Sequence, residues 1–331
     1  MGCHRSGTNL LYDMLLSSGG FAIYRGYLPI YKTLVPRFGS MENRANRQKI
    51  LETWLRSKGF RRTGLDAKPL SAKILNDCRT PGDFIRTVMG AVAQNQGAAR
   101  WAVYDPDNVL HMERVKGDIP NALFVHIIRD GRDIALSLKK MGGFTPLPWD
   151  RATTPSLAAT ALYWEWMVRK GREHGRKFPR DYFEIHYEDL LTKPRETLRA
   201  LGNFIEHDLD YERIRNAGMG MLSDTNSSFR EEGSQQQINP LGRWKERLSP
   251  HEVAAIEAAV GKCLEETGYA LSLPAAERAR SIRGAWMKAL YPNFLSTKLW
   301  LKLNTLVGRL SDTTALELED EPEAVAQSVR P

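Results

Sequence analysis

Cysteine is scarce: Cys3, Cys78 and Cys263 are the only three in 331 residues, widely scattered and odd in number. They leave one thiol over and form no metal-ligand spacing, which argues against a disulfide framework and for a reduced compartment. No His/Cys/Asp cluster encodes a metal site. There is no apolar run long enough to span a bilayer, no readable signal peptide and no internal repeat. No dense Lys/Arg run or nucleic-acid readout motif appears either, so nucleic acid is the weaker reading of the basic charge.

What is present describes an ordinary globular protein. Hydrophobic residues make up 42% and charged residues 26%, enough for one large core or two modest ones. The formal charge of +8 points to anionic ligands or surfaces.

The most informative stretch is the first, Gly2-Cys3-His4-Arg5-Ser6-Gly7-Thr8-Asn9, followed by Leu10, Leu11, Met14, Leu15 and Leu16 at helical spacing. A glycine-containing loop that opens a helix presents unpaired N–H groups and the positive end of the helix dipole together. Arg5 adds a fixed positive charge, so the loop suits an anion. The Gly2-to-Gly7 spacing matches a Walker A loop, but Thr8 and Asn9 stand where that motif needs Lys and then Ser or Thr. ATP–magnesium chemistry is disfavoured. Such a loop normally follows a buried strand, and only Met1 stands before Gly2. The expectation is therefore that a first strand has been cut off, the alternative being that another strand fills the gap.

Further along, Phe21–Tyr24, Trp101–Tyr104, Ala122–Ile128 and Tyr182–Tyr187 read as strands, the third nearly continuous in apolar residues as buried parallel strands are. Helical patterns cover Glu42–Lys58, a stretch opened by Thr80-Pro81-Gly82-Asp83 and stopped at Gly97, Thr154–Glu173, Arg195–Ile205, and a capped helix from Ser249 to Gly268. Strands alternating with helices predict an α/β fold with a parallel sheet flanked by helices. Residues 38–100 carry no nucleotide motif and form the expected helical insertion on the acceptor side. His126, alone on a buried strand, reads as a hydrogen-bonded core residue.

Two further anchors follow strand ends, where ligands of parallel sheets bind. After Val125-His126-Ile127-Ile128 comes Arg129-Asp130-Gly131-Arg132-Asp133, then a helix carrying Ser137. Arg129 would sit at the sheet edge, with Ser137 reaching back toward the same anion. Tyr187 closes the next strand before Glu188-Asp189-Leu190. A late loop, Gly242-Arg243-Trp244-Lys245, offers a glycine turn, two cations and an indole, chemistry that suits an adenosine bearing an extra phosphate.

These motifs resemble, in family order from Gly2 to Tyr269, those of sulfotransferases that use 3′-phosphoadenosine 5′-phosphosulfate (PAPS), with a distant similarity to tyrosylprotein sulfotransferases. Arg5-Ser6-Gly7-Thr8 is similar to the 5′-phosphosulfate loop, with Asn9 departing from the usual Thr or Ser. Arg129 and Ser137 resemble the 3′-phosphate signature, Tyr187 a tyrosine near the adenine, and Arg243, Trp244 and Lys245 the loop that closes over the cofactor. Ser234 resembles a serine of the tyrosylprotein branch. The resemblance implies a P-loop-like fold and metal-free sulfuryl transfer from PAPS to an acceptor hydroxyl, with 3′,5′-adenosine bisphosphate as product. The acceptor is left open among sugars, lipids, peptides and small alcohols.

Catalysis requires positive charge at the leaving nucleotide and a base for the acceptor. Arg5 and the loop N–H groups are the candidates for the first. Val103-Tyr104-Asp105-Pro106-Asp107 resembles the family's Lys-Thr-Pro or Lys-Asp-Pro element, but Tyr104 replaces the lysine, and Phe21–Tyr31 carries no carboxylate. Asp105 is the first choice as base, with Asp107, His111 and His4 behind it; Asp105 as a simple helix cap is an even alternative.

The expected layout is a catalytic domain over residues 1–274, a basic amphipathic arm over 275–311 and an acidic, disordered tail over 312–331. The arm interleaves Arg and Lys with Trp286, Tyr291, Phe294 and Trp300. It reads either as packed on its own domain or as an interfacial helix on an anionic membrane. The expected location is cytoplasmic with a peripheral membrane contact. Competing readings are a P-loop phosphotransferase and a non-catalytic nucleotide-binding or membrane-associated protein.

Overall fold

A computed structural model describes residues 1–141, 144–147, 150, 154–222, 241–278 and 282–318. The fold is mixed α/β. Two parallel strands, β1 (Phe124–Ile128) and β2 (Tyr182–His186), pair in the register Phe124↔Tyr182 to Ile128↔His186. On β1 the backbone of Met1 continues the parallel pattern: its amino group donates to the Val125 carbonyl and its carbonyl accepts from the Ile127 N–H, both at 3.0 Å. The loop from Gly2 therefore leaves from beside the carboxyl half of β1, which brings it to the same edge as Arg129 and Tyr187.

Among the described residues, eleven helices of seven or more residues surround this sheet. Ten of them are α1 (Thr8–Ser17), α2 (Arg44–Leu55), α3 (Ala67–Asp77), α4 (Pro81–Asn95), α5 (Gly131–Met141), α6 (Leu157–Gly175), α7 (Pro194–Ile205), α8 (Tyr211–Ala217), α9 (Pro250–Glu266) and α10 (Ile282–Asn304); the remaining one, the short helix Met112–Asp118, follows the turn at His111. The helix starts obey the capping chemistry in the sequence. Thr80 and Ser249 each form a full capping box, with Asp83 and Glu252 reaching back to the cap N–H.

Burial divides into three apolar clusters. One packs α5, α6 and α9 around Trp164 and Met167. A second gathers α2, α3 and α4 around Trp54 and Phe84, the helical region expected between residues 38 and 100. The third fills the space between α1, the sheet and α7. His126 is fully buried, with Nδ1 2.6 Å from the Tyr182 hydroxyl.

Two expected strands are absent. Phe21–Tyr24 makes only a single parallel bridge, Phe21 to Arg100, and Trp101–Tyr104 joins no ladder. Their backbone groups are satisfied singly instead: Ala22 N–H donates to the Arg100 carbonyl at 2.7 Å, Ile23 N–H to the Gln96 side chain, and the Ala102 carbonyl accepts from the Tyr12 hydroxyl. The final strand also stops one residue early, so Tyr187 begins a short helix, Tyr187–Thr192.

Candidate functional site: an arginine-rich anion cradle

The opening loop is shaped by residues in the left-handed region. Arg5 has φ 74° and Gly7, the residue before α1, has φ 94°. Glycine is needed at position 7 for a second reason: a Cβ there would lie 2.2 Å from Cδ2 of Tyr187. The tyrosine ring thus packs on the loop backbone. Ser6 is fully buried, and its hydroxyl has no partner among the described residues. A buried, unmet hydroxyl beside a helix N-terminus is a group suited to donate to an anion.

Around this loop the expected anchors converge. Arg5 Nε donates to Ser137 Oγ at 3.0 Å, tying the loop to α5. Arg129 Nη1 donates to the Arg5 carbonyl at 3.3 Å, and its guanidinium lies over the Tyr187 ring, 4.4 Å from the centroid. The guanidiniums feel one another. Burial first, and then the charge of Arg129, lowers the pKa of both Arg5 and Arg243. Converging like charges favour an anion that neutralises them.

Asp133, which no sequence reasoning singled out as more than part of a turn, holds the late loop in place. Its carboxylate accepts from the N–H groups of Gly242 and Trp244, each at 3.0 Å, and from Arg129 Nη2 at 3.4 Å. Trp244 is buried beneath the guanidinium of Arg132, 3.9 Å from its centroid. The indole therefore anchors the loop from below, and Arg243 is the member that faces Arg129. Lys245 lies over the Trp244 ring at 5.7 Å. Asn9 is exposed and hydrogen-bonded to Tyr104, which stacks on Tyr12 at 5.5 Å; Thr8 is buried in the first turn. Ser234 lies outside the described residues.

A second, mixed-charge cluster gathers around His4, the residue before Arg5. Asp107 is buried, ion-paired with Lys32, and 3.2 Å from His4 Nε2. Although burial alone would raise its pKa, His4 and Lys32 together hold it well below the usual carboxylate range. Asp105 is buried too, and its carboxylate caps the 3-10 turn Pro106–Leu110 by accepting the Asp107 N–H at 3.0 Å. Burial, then Asp107, pushes Asp105 up to about 6. His111 is buried on the Tyr31 ring, and burial pulls it down to about 4. Among the four candidate bases His4 is the accessible one, with a side chain 33% exposed.

Lys32 was not legible as a site residue. It rides on a wide turn, Ile30–Leu34, in which Thr33 and Leu34 both donate to the Pro29 carbonyl. Its partner lies 75 positions away in the chain, and no local pattern marks the pairing. It supplies, from another segment, a cation paired with Asp107 and felt by Asp105. Among the described residues no group of His, Cys, Asp and Glu could hold a metal.

Residues 1–211 match the family model described as "Sulfotransferase family", a span that stops short of the Gly242–Lys245 loop. A putative protein-tyrosine sulfotransferase of Caenorhabditis elegans is 22% identical over 163 residues, 49% of this chain and 59% of that protein. The aligned region thus spans well under two thirds of that relative's length. The solved sulfotransferase domain of the olefin synthase of Synechococcus PCC 7002 superposes with a TM-score of 0.52 at 19% identity, covering 82% of this chain and 94% of that one. That likeness is one of fold.

Proposed function

The chain belongs to the sulfotransferase family, and we propose that it moves a sulfuryl group from PAPS to an acceptor hydroxyl without a metal ion. The single observation that carries the donor assignment is the convergence of Arg5, Ser137 and Arg129: one hydrogen bond at 3.0 Å and one at 3.3 Å join two phosphate-binding motifs more than a hundred residues apart. The residues present fit such a ligand. Ser6 offers a buried, unmet hydroxyl among the described residues, and the left-handed turn at Gly7 leads directly into the N-terminus of α1.

In this reading the Ser6-to-Asn9 N–H groups and Arg5 hold the 5′-phosphosulfate, while Arg129, Ser137 and Arg243 hold the 3′-phosphate. Because Ser137 Oγ accepts from Arg5, its own hydrogen remains available to donate to a phosphate oxygen. Tyr187 positions both Arg129 and the loop. When bound, the donor supplies an activated sulfuryl group: the bond from sulfur to the bridging phosphate oxygen breaks as a bond from sulfur to the acceptor oxygen forms, and 3′,5′-adenosine bisphosphate leaves. Arg5 stabilises the negative charge that grows on that bridging oxygen.

The acceptor proton goes to His4. Its Nε2–H faces the ionised Asp107, which fixes the tautomer and leaves Nδ1 as the acceptor. Asp105 is the second reading, favoured by a pKa raised to about 6, near the working range of a base. Lys32 neutralises Asp107 and holds it in place.

Transfer of labelled sulfate from PAPS into an extract, followed by identification of the product, tests the activity. Incorporation that Arg5→Ala lowers on the order of a hundredfold or more is the expected result. Incorporation unchanged in Arg5→Ala removes Arg5 from the mechanism. His4→Gln and Asp105→Asn, compared at saturating donor, decide which of the two takes the proton.

A further inference from the structure

From Arg278 to Ser311 the sequence contains seven Lys and Arg residues and no Asp or Glu. Most of this stretch forms α10 and the 3-10 turn Leu306–Leu310 after it. One side is firmly docked: the Tyr291 hydroxyl donates to the Pro146 carbonyl at 2.6 Å, Trp166 Nε1 donates to Ser296 Oγ at 2.9 Å, and Leu295 and Leu299 pack on the α5–α6–α9 core. The other side is apolar and open. Trp286, Leu290, Phe294 and Leu301 recur along one face, with Trp300 beside them, and Leu306, Val307 and Leu310 extend the strip. Trp286 is 63% exposed, Trp300 58% and Leu310 82%. Lys288, Lys298 and Arg309 are exposed along the same arm.

We propose that this face docks the protein on an anionic membrane surface. Two exposed tryptophans, a continuous apolar strip and flanking cations without any acidic residue are the composition of a helix lying in the headgroup region. Charge decides against the other occupants. A second copy meeting this face about a two-fold axis would set the cations of one arm against those of the other. A nucleic acid would leave the apolar strip in water. No helix among the described residues is long and apolar enough to cross the bilayer, so the contact is peripheral.

The placement also bears on the acceptor, a point that rests on the sulfuryl-transfer reading. The C-terminal end of α10 is joined to the acceptor-side cluster. Lys302 lies within the field of Lys32 and Asp107, and Asn304 accepts from Arg114, on the short Met112–Asp118 helix that follows His111. The 3-10 turn is held by Arg37, five residues after Lys32, through the Arg309 and Ser311 carbonyls. Docking by this face would hold the cluster that packs behind the end of α10 close to the membrane, which suits an acceptor hydroxyl carried by a lipid or presented there.

Co-sedimentation of the full chain with vesicles tests the docking. Phosphatidylcholine alone is compared with an equal mixture of phosphatidylcholine and phosphatidylglycerol. Binding to the mixed vesicles only is expected, weakened on the order of tenfold in each of Trp286→Ser/Trp300→Ser and Lys288→Glu/Lys298→Glu. Unchanged thermal unfolding of these surface variants shows that the fold is intact. Failure to sediment with either vesicle, binding indifferent to both double substitutions, or a solution dimer broken by them would each overturn the proposal. Melting of the same preparations with 3′,5′-adenosine bisphosphate separates the two claims. A nucleotide shift without vesicle binding sinks the docking alone, and vesicle binding without a nucleotide shift sinks the donor assignment alone.

Discussion

Arg5 Nε donates to Ser137 Oγ at 3.0 Å, across 132 residues of chain. One side chain thereby fixes the other: the Ser137 hydroxyl holds the guanidinium by its inner nitrogen and sets its orientation in the loop. Ser137→Ala removes that acceptor while changing no packing of consequence. Affinity for 3′,5′-adenosine bisphosphate is expected to fall on the order of tenfold, as for loss of a hydrogen bond to a charged group, with little change in melting temperature. Titration calorimetry on the two proteins measures it.

Gly7 makes a sharper case, because its substitution strains fold and site together. Alanine at φ 94° carries a left-handed penalty, and its Cβ would overlap the Tyr187 ring at 2.2 Å. Gly7→Ala should cost about 2 kcal/mol or more of stability and displace Tyr187 from beneath Arg129. Urea unfolding reads the first effect, and nucleotide titration the second.

The Arg5 loop and the Arg129-to-Ser137 stretch were legible because each is a short motif beside a strand end, and the late loop because of its own charges. Arg5-Ser6-Gly7-Thr8, Arg129 with Ser137, and Arg243 each announce an anion by local chemistry, and the parallel sheet brings those ends to one edge. The acceptor side was not legible in the same way. Lys32 and Asp107 meet from segments with no common pattern, and Asp133 is recognisable as a clamp only once its two N–H donors are seen. The strands expected at Phe21–Tyr24 and Trp101–Tyr104 failed for a related reason. Apolar, extended sequence reports burial, whereas a strand needs a neighbour's backbone, and here side chains of Gln96 and Tyr12 take part of that role.

Asp105 gives a pH signature. Its carboxyl is raised from 3.8 to about 6 by burial and by Asp107. The native state holds a proton that the unfolded chain has already released, so ionised Asp105 costs stability. That cost grows as pH rises from about 4 to 6 and is constant above. Asparagine can still accept the Asp107 N–H. Asp105→Asn is therefore expected to be more stable than wild type by about 1–3 kcal/mol above pH 6, and equal to it near pH 4. Thermal unfolding across that range is the check.

The buried histidines act in the opposite sense. His126 is pulled down to about 3 and His111 to about 4, in both cases chiefly by burial. The unfolded chain takes up these protons near 6.5 while the native state refuses them, so stability falls as pH drops below that value, by up to about 1.4 kcal/mol per pH unit per histidine. His111→Phe keeps a ring against Tyr31 and removes one titration. Its acid unfolding should be shallower than that of wild type, measured in an Asp105→Asn background so that the counteracting carboxyl is silent.

The central claim is that Arg5 and Arg129 together grip a bisphosphorylated adenosine, and calorimetric titration of 3′,5′-adenosine bisphosphate into wild type, Arg5→Ala and Arg129→Ala tests it most directly. The account predicts saturable binding to wild type, weakened at least tenfold in each variant, as expected for loss of a charged hydrogen-bonding partner, and no comparable binding of ATP with magnesium. Binding of ATP–magnesium in its place, or bisphosphate binding indifferent to both arginines, would contradict it.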